Sequence, residues 1–143
     1  MKKSLSLVLL LLPILAWAAE SPFDGHWKID RPNGTSVAFT LKSFSNGMMY
    51  SSGTNGSWQA KFDGKDYPIN PGVRGIAGMT VSLKKLDDRS YSETIKGAQG
   101  DVRAVLLRTV SADGKTLTLK TTISWMRGNL KDSRTITQVA IKQ

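Results

Sequence analysis

Cysteine is absent from these 143 residues, and histidine occurs once, as His26. Without cysteine there is no disulfide and no cysteine lipidation site, so an exported chain of this kind relies on its own core. With one histidine, a metal site would need a carboxylate cluster, and nothing in the local spacing sets His26 beside a serine and an acid as a triad requires. The chain also lacks an internal repeat, a convincing helix and a second long apolar run. Beyond Lys2, Lys3 and Lys28 its lysines are scattered as well (Lys42, Lys61, Lys65, Lys84, Lys85, Lys96, Lys115, Lys120, Lys131, Lys142), with no run longer than two. No catalytic residue, metal, cofactor or specific nucleic-acid partner is expected, and the chain reads as a non-enzyme.

What is present begins with an export signal over residues 1–18. Lys2 and Lys3 form a basic start, Leu5 to Leu15 an apolar run, and Ala16-Trp17-Ala18 a small-x-small cleavage site. The run is shorter than the roughly 20 residues of a spanning helix. Cleavage after Ala18 leaves residues 19–143 as one domain large enough for a proper core. The destination is periplasmic or secreted. Two of the 20 basic residues leave with the signal, so the formal charge falls by two from +9 and the mature domain stays basic. An anionic surface is a conceivable partner, although spread lysines serve equally for solubility and for protecting sheet edges.

The mature chain alternates in short segments. Val37, Phe39 and Leu41 share one face of Ser36–Phe44, and Trp58, Ala60 and Phe62 one face of Ser57–Phe62. Leu117, Leu119, Ile123 and Trp125 are in phase along Thr116–Trp125. Asn46-Gly47, Asp63-Gly64 and Asp113-Gly114 punctuate the strands as hairpin signals. Lys65–Ile69 is a short strand interrupted by Pro68, a residue tolerated at edges or ends. Asn70–Gly78 is the longest irregular stretch, with Val73 and Ile76 as apolar tips, and is placed to line a barrel mouth. Met126–Asp132 reads as a polar loop, and a parity slip between Ile136 and Val139 suggests a bulge or a change of face. The fold class is all-β: an antiparallel up-and-down barrel of about eight to nine strands. A Greek-key sandwich would need a long crossover, for which Asn70–Gly78 is the one good candidate.

Gly25-His26-Trp27 opens the first strand. Tryptophan is a large apolar plug with one N–H to satisfy, and a glycine two places earlier permits close backbone approach. His26 should face away from Trp27, into solvent. With a late basic residue, this triplet resembles the calycin pattern of lipocalins and fatty-acid-binding proteins. The segments Phe62 to Pro68 and Val110 to Leu117 resemble those of small exported bacterial lipocalin-like proteins, and the likeness covers about residues 23–142. The resemblance implies a lipocalin-like barrel for apolar ligands, closed at one end by Trp27 with Arg134 packed over it. The chain departs from typical lipocalins in having no disulfide and no helix before the last strand.

Most carboxylates, Asp63, Asp87, Asp88 and Asp113, sit where aspartate stabilises turns. Glu93 lies mid-strand in phase with Tyr91 and Ile95, and Arg108 is in phase with Leu106 and Val110. Either these faces are interior and Glu93 and Arg108 form a polar spot inside the barrel, or the faces are locally swapped and both groups are wet. An interior, unpaired Arg108 would grip a carboxylate head. Candidate ligand-lining residues are Arg108, Glu93, Tyr91, Trp58, Phe62 and Met49, the last within the segment Met48-Met49-Tyr50; core packing explains the apolar ones as well. The leading expectation is a carrier of a small apolar or amphipathic ligand. The alternative is a structural or interaction module, a filled barrel whose basic surface docks on an anionic partner. An interior filled by Trp27, Phe39, Trp58, Leu83 and Leu106 would favour the second, as would edge exposure of Thr116–Trp125.

Overall fold

The computed structural model describes residues 20–73, Gly75 and 77–143. The expected signal segment, residues 1–18, and the loop tip Ile76 lie outside the described residues. Ten strands follow one another: β1 (Gly25–Asp30), β2 (Ser36–Phe44), β3 (Gly47–Ser52), β4 (Gly56–Lys61), β5 (Tyr67–Asn70), β6 (Thr80–Asp87), β7 (Ser90–Lys96), β8 (Val102–Val110), β9 (Thr116–Arg127) and β10 (Leu130–Lys142). Each pairs antiparallel with its sequence neighbours, and β1 pairs with β10, which closes an up-and-down barrel. No helix occurs among the described residues. β5 is the short strand expected at Lys65–Ile69, shifted to Tyr67–Asn70. Proline limits it to four residues, yet Tyr67 and Pro68 still pair with β6 and Ile69 with Trp58 of β4. The Asn70–Gly78 stretch joins neighbours β5 and β6, so no crossover exists and the sandwich alternative falls.

Turn chemistry sets the hairpins. The Asp63, Asp87 and Asp113 carboxylates each accept the backbone N–H two residues on, at 2.8–3.0 Å. Asp88 instead pairs with Lys85. The expected polar loop at Met126–Asp132 is a correction. β9 and β10 run through it and turn on Gly128-Asn129, with Leu130 opposite Arg127. Gly128 has φ 62° while Asn129 does not take positive φ, the pattern of a type II′ hairpin with glycine first. The parity slip is also corrected. β9–β10 pairing is unbroken from Leu130 to Ile141, with Ile136, Gln138 and Ala140 facing in and Val139 and Ile141 facing out. The bulges lie elsewhere, between Lys85 and Asp87 and between Ile95 and Lys96.

The two ends of the barrel differ. At the end holding both termini of the barrel, Trp27 is fully buried and donates its indole N–H to the Phe23 carbonyl at 2.9 Å. Phe23 and Phe62 both meet the Tyr91 ring edge-on, at 4.9 and 5.5 Å. Leu41, Met48, Leu83 and Leu117 complete a packed layer. Burial falls toward the opposite end, the mouth, where Val37, Ile95, Ala104 and Ile136 are half-buried and Ile123 and Trp125 exposed, all with inward parity. β9 and β10 are also the longest strands, so their hairpin extends beyond the barrel wall at this end.

Candidate binding site at the barrel mouth

Alternation on β7 and β8 decides where the two mid-strand charges go. Tyr91 lies opposite Arg108 and Glu93 opposite Leu106, so Glu93 and Arg108 are diagonal neighbours on the inward face. They meet: Arg108 Nε donates to Glu93 Oε2 at 2.8 Å, with the residues 3% and 1% exposed. The wet alternative is thereby excluded. Burial by itself lowers the Arg108 pKa. The Glu93 carboxylate outweighs it and holds the guanidinium charged beyond its ordinary range. The guanidinium also sits over the rings of Tyr50 (5.4 Å) and Phe39 (5.6 Å). Tyr50 in turn stacks on Trp58 at 5.5 Å and 15°.

The cluster is not saturated. Arg108 Nη1 is buried with no hydrogen-bond partner, and so is the Tyr91 hydroxyl. A buried unsatisfied donor costs about 1–3 kcal/mol, more when charged. Burial pushes the Tyr91 hydroxyl well above its ordinary value of 10.0, against the pull of the Arg108 charge. Arg108 lines a cavity of about 120 Å³ on the mouth side, walled by Ile29, Phe39, Tyr50, Leu106, Leu119 and Thr121, with Gln138 and Arg31 also lining it. Larger depressions exist, about 480 Å³ beside Phe23, Phe44 and Phe62 and about 590 Å³ beside Arg103 and Trp125. Tyr91, whose hydroxyl is unpaired, also lines the first of these, at the closed end; neither is lined by Arg108.

The other expected lining residues separate. Trp58 is buried and stands behind Tyr50, and Tyr91 lies beneath the ion pair among Phe23 and Phe62. Phe62, half-buried, belongs to the closed end rather than to the cavity. Met49 is a correction: it is 40% exposed on the outer wall, because Met48, Tyr50 and Ser52 take the inward parity of β3. Arg134 is the second correction. It lies opposite Ile123, exposed, eight residues short of the strand end. The cation over the Trp27 ring is Lys142, with Nζ 5.5 Å from the centroid, because Lys142 is the residue in register with Trp27. Gly25 makes room for it: a Cβ there would meet Lys142 Cε, and Gly25 has φ 145°. Tyr50, expected as lining within the Met48-Met49-Tyr50 segment, and Phe39, absent from the expected lining, form the aromatic walls of the cavity; the in-phase run of Val37, Phe39 and Leu41 carried that signal for Phe39.

His26 faces outward and shares a 2.8 Å hydrogen bond with Thr40 Oγ1. Among the described residues, no three histidine or acidic side chains gather as metal ligands. Set beside known protein families, curated proteins and solved structures, the chain matches none. The architecture defines a class all the same: a closed, all-antiparallel up-and-down barrel, compatible with a calycin-like fold.

Proposed function

We propose that this protein is an exported, non-enzymatic binding module of lipocalin-like type that holds the polar end of a small amphipathic molecule above Arg108. The observation that carries the reading is the unpartnered guanidinium N–H of Arg108 in a cluster that lines the mouth cavity. A carboxylate or carbonyl oxygen is the natural acceptor for it. Ligand pockets usually span about 300–1,000 Å³. A 120 Å³ cavity therefore suits a head group, not an enclosed lipid chain. The apolar remainder of the ligand would lie along the inner wall of the projecting hairpin, on Ile123, Trp125 and Ile136. Native mass spectrometry of protein purified from its own host tests this. A stoichiometric small molecule bearing an acceptor head supports the reading; a bare protein that also binds no short-chain carboxylate rejects it.

A second reading draws on the packed closed end of the barrel, where Trp27, Met48, Leu83 and Leu117 are buried. In it the protein is an interaction module whose basic surface meets an anionic partner. Attachment to anionic vesicles that weakens as ionic strength rises would favour that reading.

A further inference from the structure

β10 is covered on only one side for most of its length. Residues 130–141 pair continuously with β9, but β1 meets β10 only at Lys28–Ile141 and Trp27–Lys142. The orientation of the free groups follows from three hydrogen bonds. Lys142 N–H donates toward the β9 side, to the Lys115 carbonyl, whereas Gln143 N–H donates toward β1, to the His26 carbonyl. Ser133 N–H is taken up by the carboxylate of its neighbour Asp132 at 2.8 Å. Odd-numbered residues therefore aim their peptide groups away from β9. From Lys131 to Thr137 that edge has no strand partner among the described residues. A regular exposed edge of this length is a template for strand addition.

We infer that the edge pairs with β10 of a second copy of this chain, antiparallel and centred on Ser133. The sequence around Ser133 is self-complementary under a two-fold axis. Arg134 falls opposite Asp132 twice, Leu130 opposite Ile136 twice, and Lys131 opposite Thr135 twice. The pleat agrees with this register. Ser133 faces the edge, so the two serines exchange backbone hydrogen bonds. Asp132 and Arg134 then fall in the non-hydrogen-bonded positions, where side chains approach most closely. Centring on Asp132 or Arg134 would instead set like charges face to face, and centring on Thr135 would set Arg134 against Ile136. On pairing, the Asp132 carboxylate exchanges Ser133 N–H for the Arg134 guanidinium of the other copy. The inward faces of the two hairpins, carrying Ile123, Trp125 and Ile136, become one continuous sheet surface.

Sedimentation equilibrium of the mature protein from micromolar to millimolar concentration tests this, with β-sheet circular dichroism as the folding control. The expected result is a monomer–dimer equilibrium. T135P, which removes one edge N–H that the monomer does not use, should abolish the dimer. R134D and D132R should each weaken it by about tenfold or more, since a favourable pair becomes a repulsive one at two symmetric places. The D132R/R134D double exchange should restore it. A monomer at every concentration overturns the inference. So does a dimer indifferent to T135P, a dimer that the charge exchange fails to rescue, or capture of another protein's extended segment in place of a second copy.

Discussion

Glu93 and Arg108 stand on adjacent strands, offset by two residues, and share a 2.8 Å charge-assisted hydrogen bond inside the barrel. Both were taken out of water, so neither is tolerable alone. E93Q should lower unfolding stability by about 3–5 kcal/mol, because it leaves a buried guanidinium without its counter-charge. The double replacement E93L/R108M should fall close to wild type, since it removes both charges and keeps the volume. Urea unfolding of the set measures the difference. A single E93Q change that costs under 1 kcal/mol would mean that water reaches the pair.

Tyr91 provides an alkaline signature. Its folded pKa lies above the ordinary 10.0, because burial penalises the phenolate. Above pH 10 the unfolded chain therefore loses this proton while the folded chain keeps it. The stability tied to Tyr91 is complete below pH 10 and is lost as pH rises beyond it. Of the three tyrosines, one should stay un-ionised in an ultraviolet titration until the barrel unfolds, and Y91F should flatten the alkaline limb of the stability curve. Three tyrosines ionising together in the folded state would contradict this burial.

At the acid end the turn aspartates act in the opposite sense. Asp113 accepts from the Ser111 hydroxyl and the Lys115 N–H, which holds its carboxyl below the ordinary 3.8. Its contribution is present above that value and disappears as pH falls through the lower folded pKa. The slope of stability against pH between pH 2 and 4 should be shallower in D113N than in wild type. An unchanged slope would show that this turn is already open in acid.

Lys142, not Arg134, caps the Trp27 ring, and Gly25 clears the path for its stem. G25A should cost about 1 kcal/mol, through its positive φ, and should push the flexible end of Lys142 aside. R134A should change stability by less than about 0.5 kcal/mol, as an exposed group should. Trp27 fluorescence should shift in K142A and not in R134A. The reverse pattern would restore Arg134 as the closing residue.

The alternation of apolar residues made most of the barrel legible, because a strand buried on one face must repeat every second residue. Two places resisted. The Gly128-Asn129 hairpin read as a loop because, beyond the barrel wall, neither face of its strands is deeply buried and Arg127, Lys131 and Asp132 flank the turn. The partner of Trp27 was misassigned because it depends on register across the closure. β10 runs on to Lys142, and no local pattern reveals that Lys142 rather than Arg134 meets Trp27. At the site, parity left Glu93 and Arg108 either paired inside or both wet, and only the phase of β7 and β8 in the closed barrel decides for the pair. Parity placed Met48, not Met49, inside only once the phase of β3 was fixed by its pairing with β2.

The measurement that most directly tests the binding role of Arg108 is a titration of the protein with hexanoate, followed through the side-chain ¹⁵N–¹H signals of Arg108 and the ring signals of Phe39 and Tyr50. The account predicts that these shift together and saturate, and that folded E93L/R108M shows no saturable shift. Shifts confined to surface lysines, or equal binding by the double variant, would contradict it.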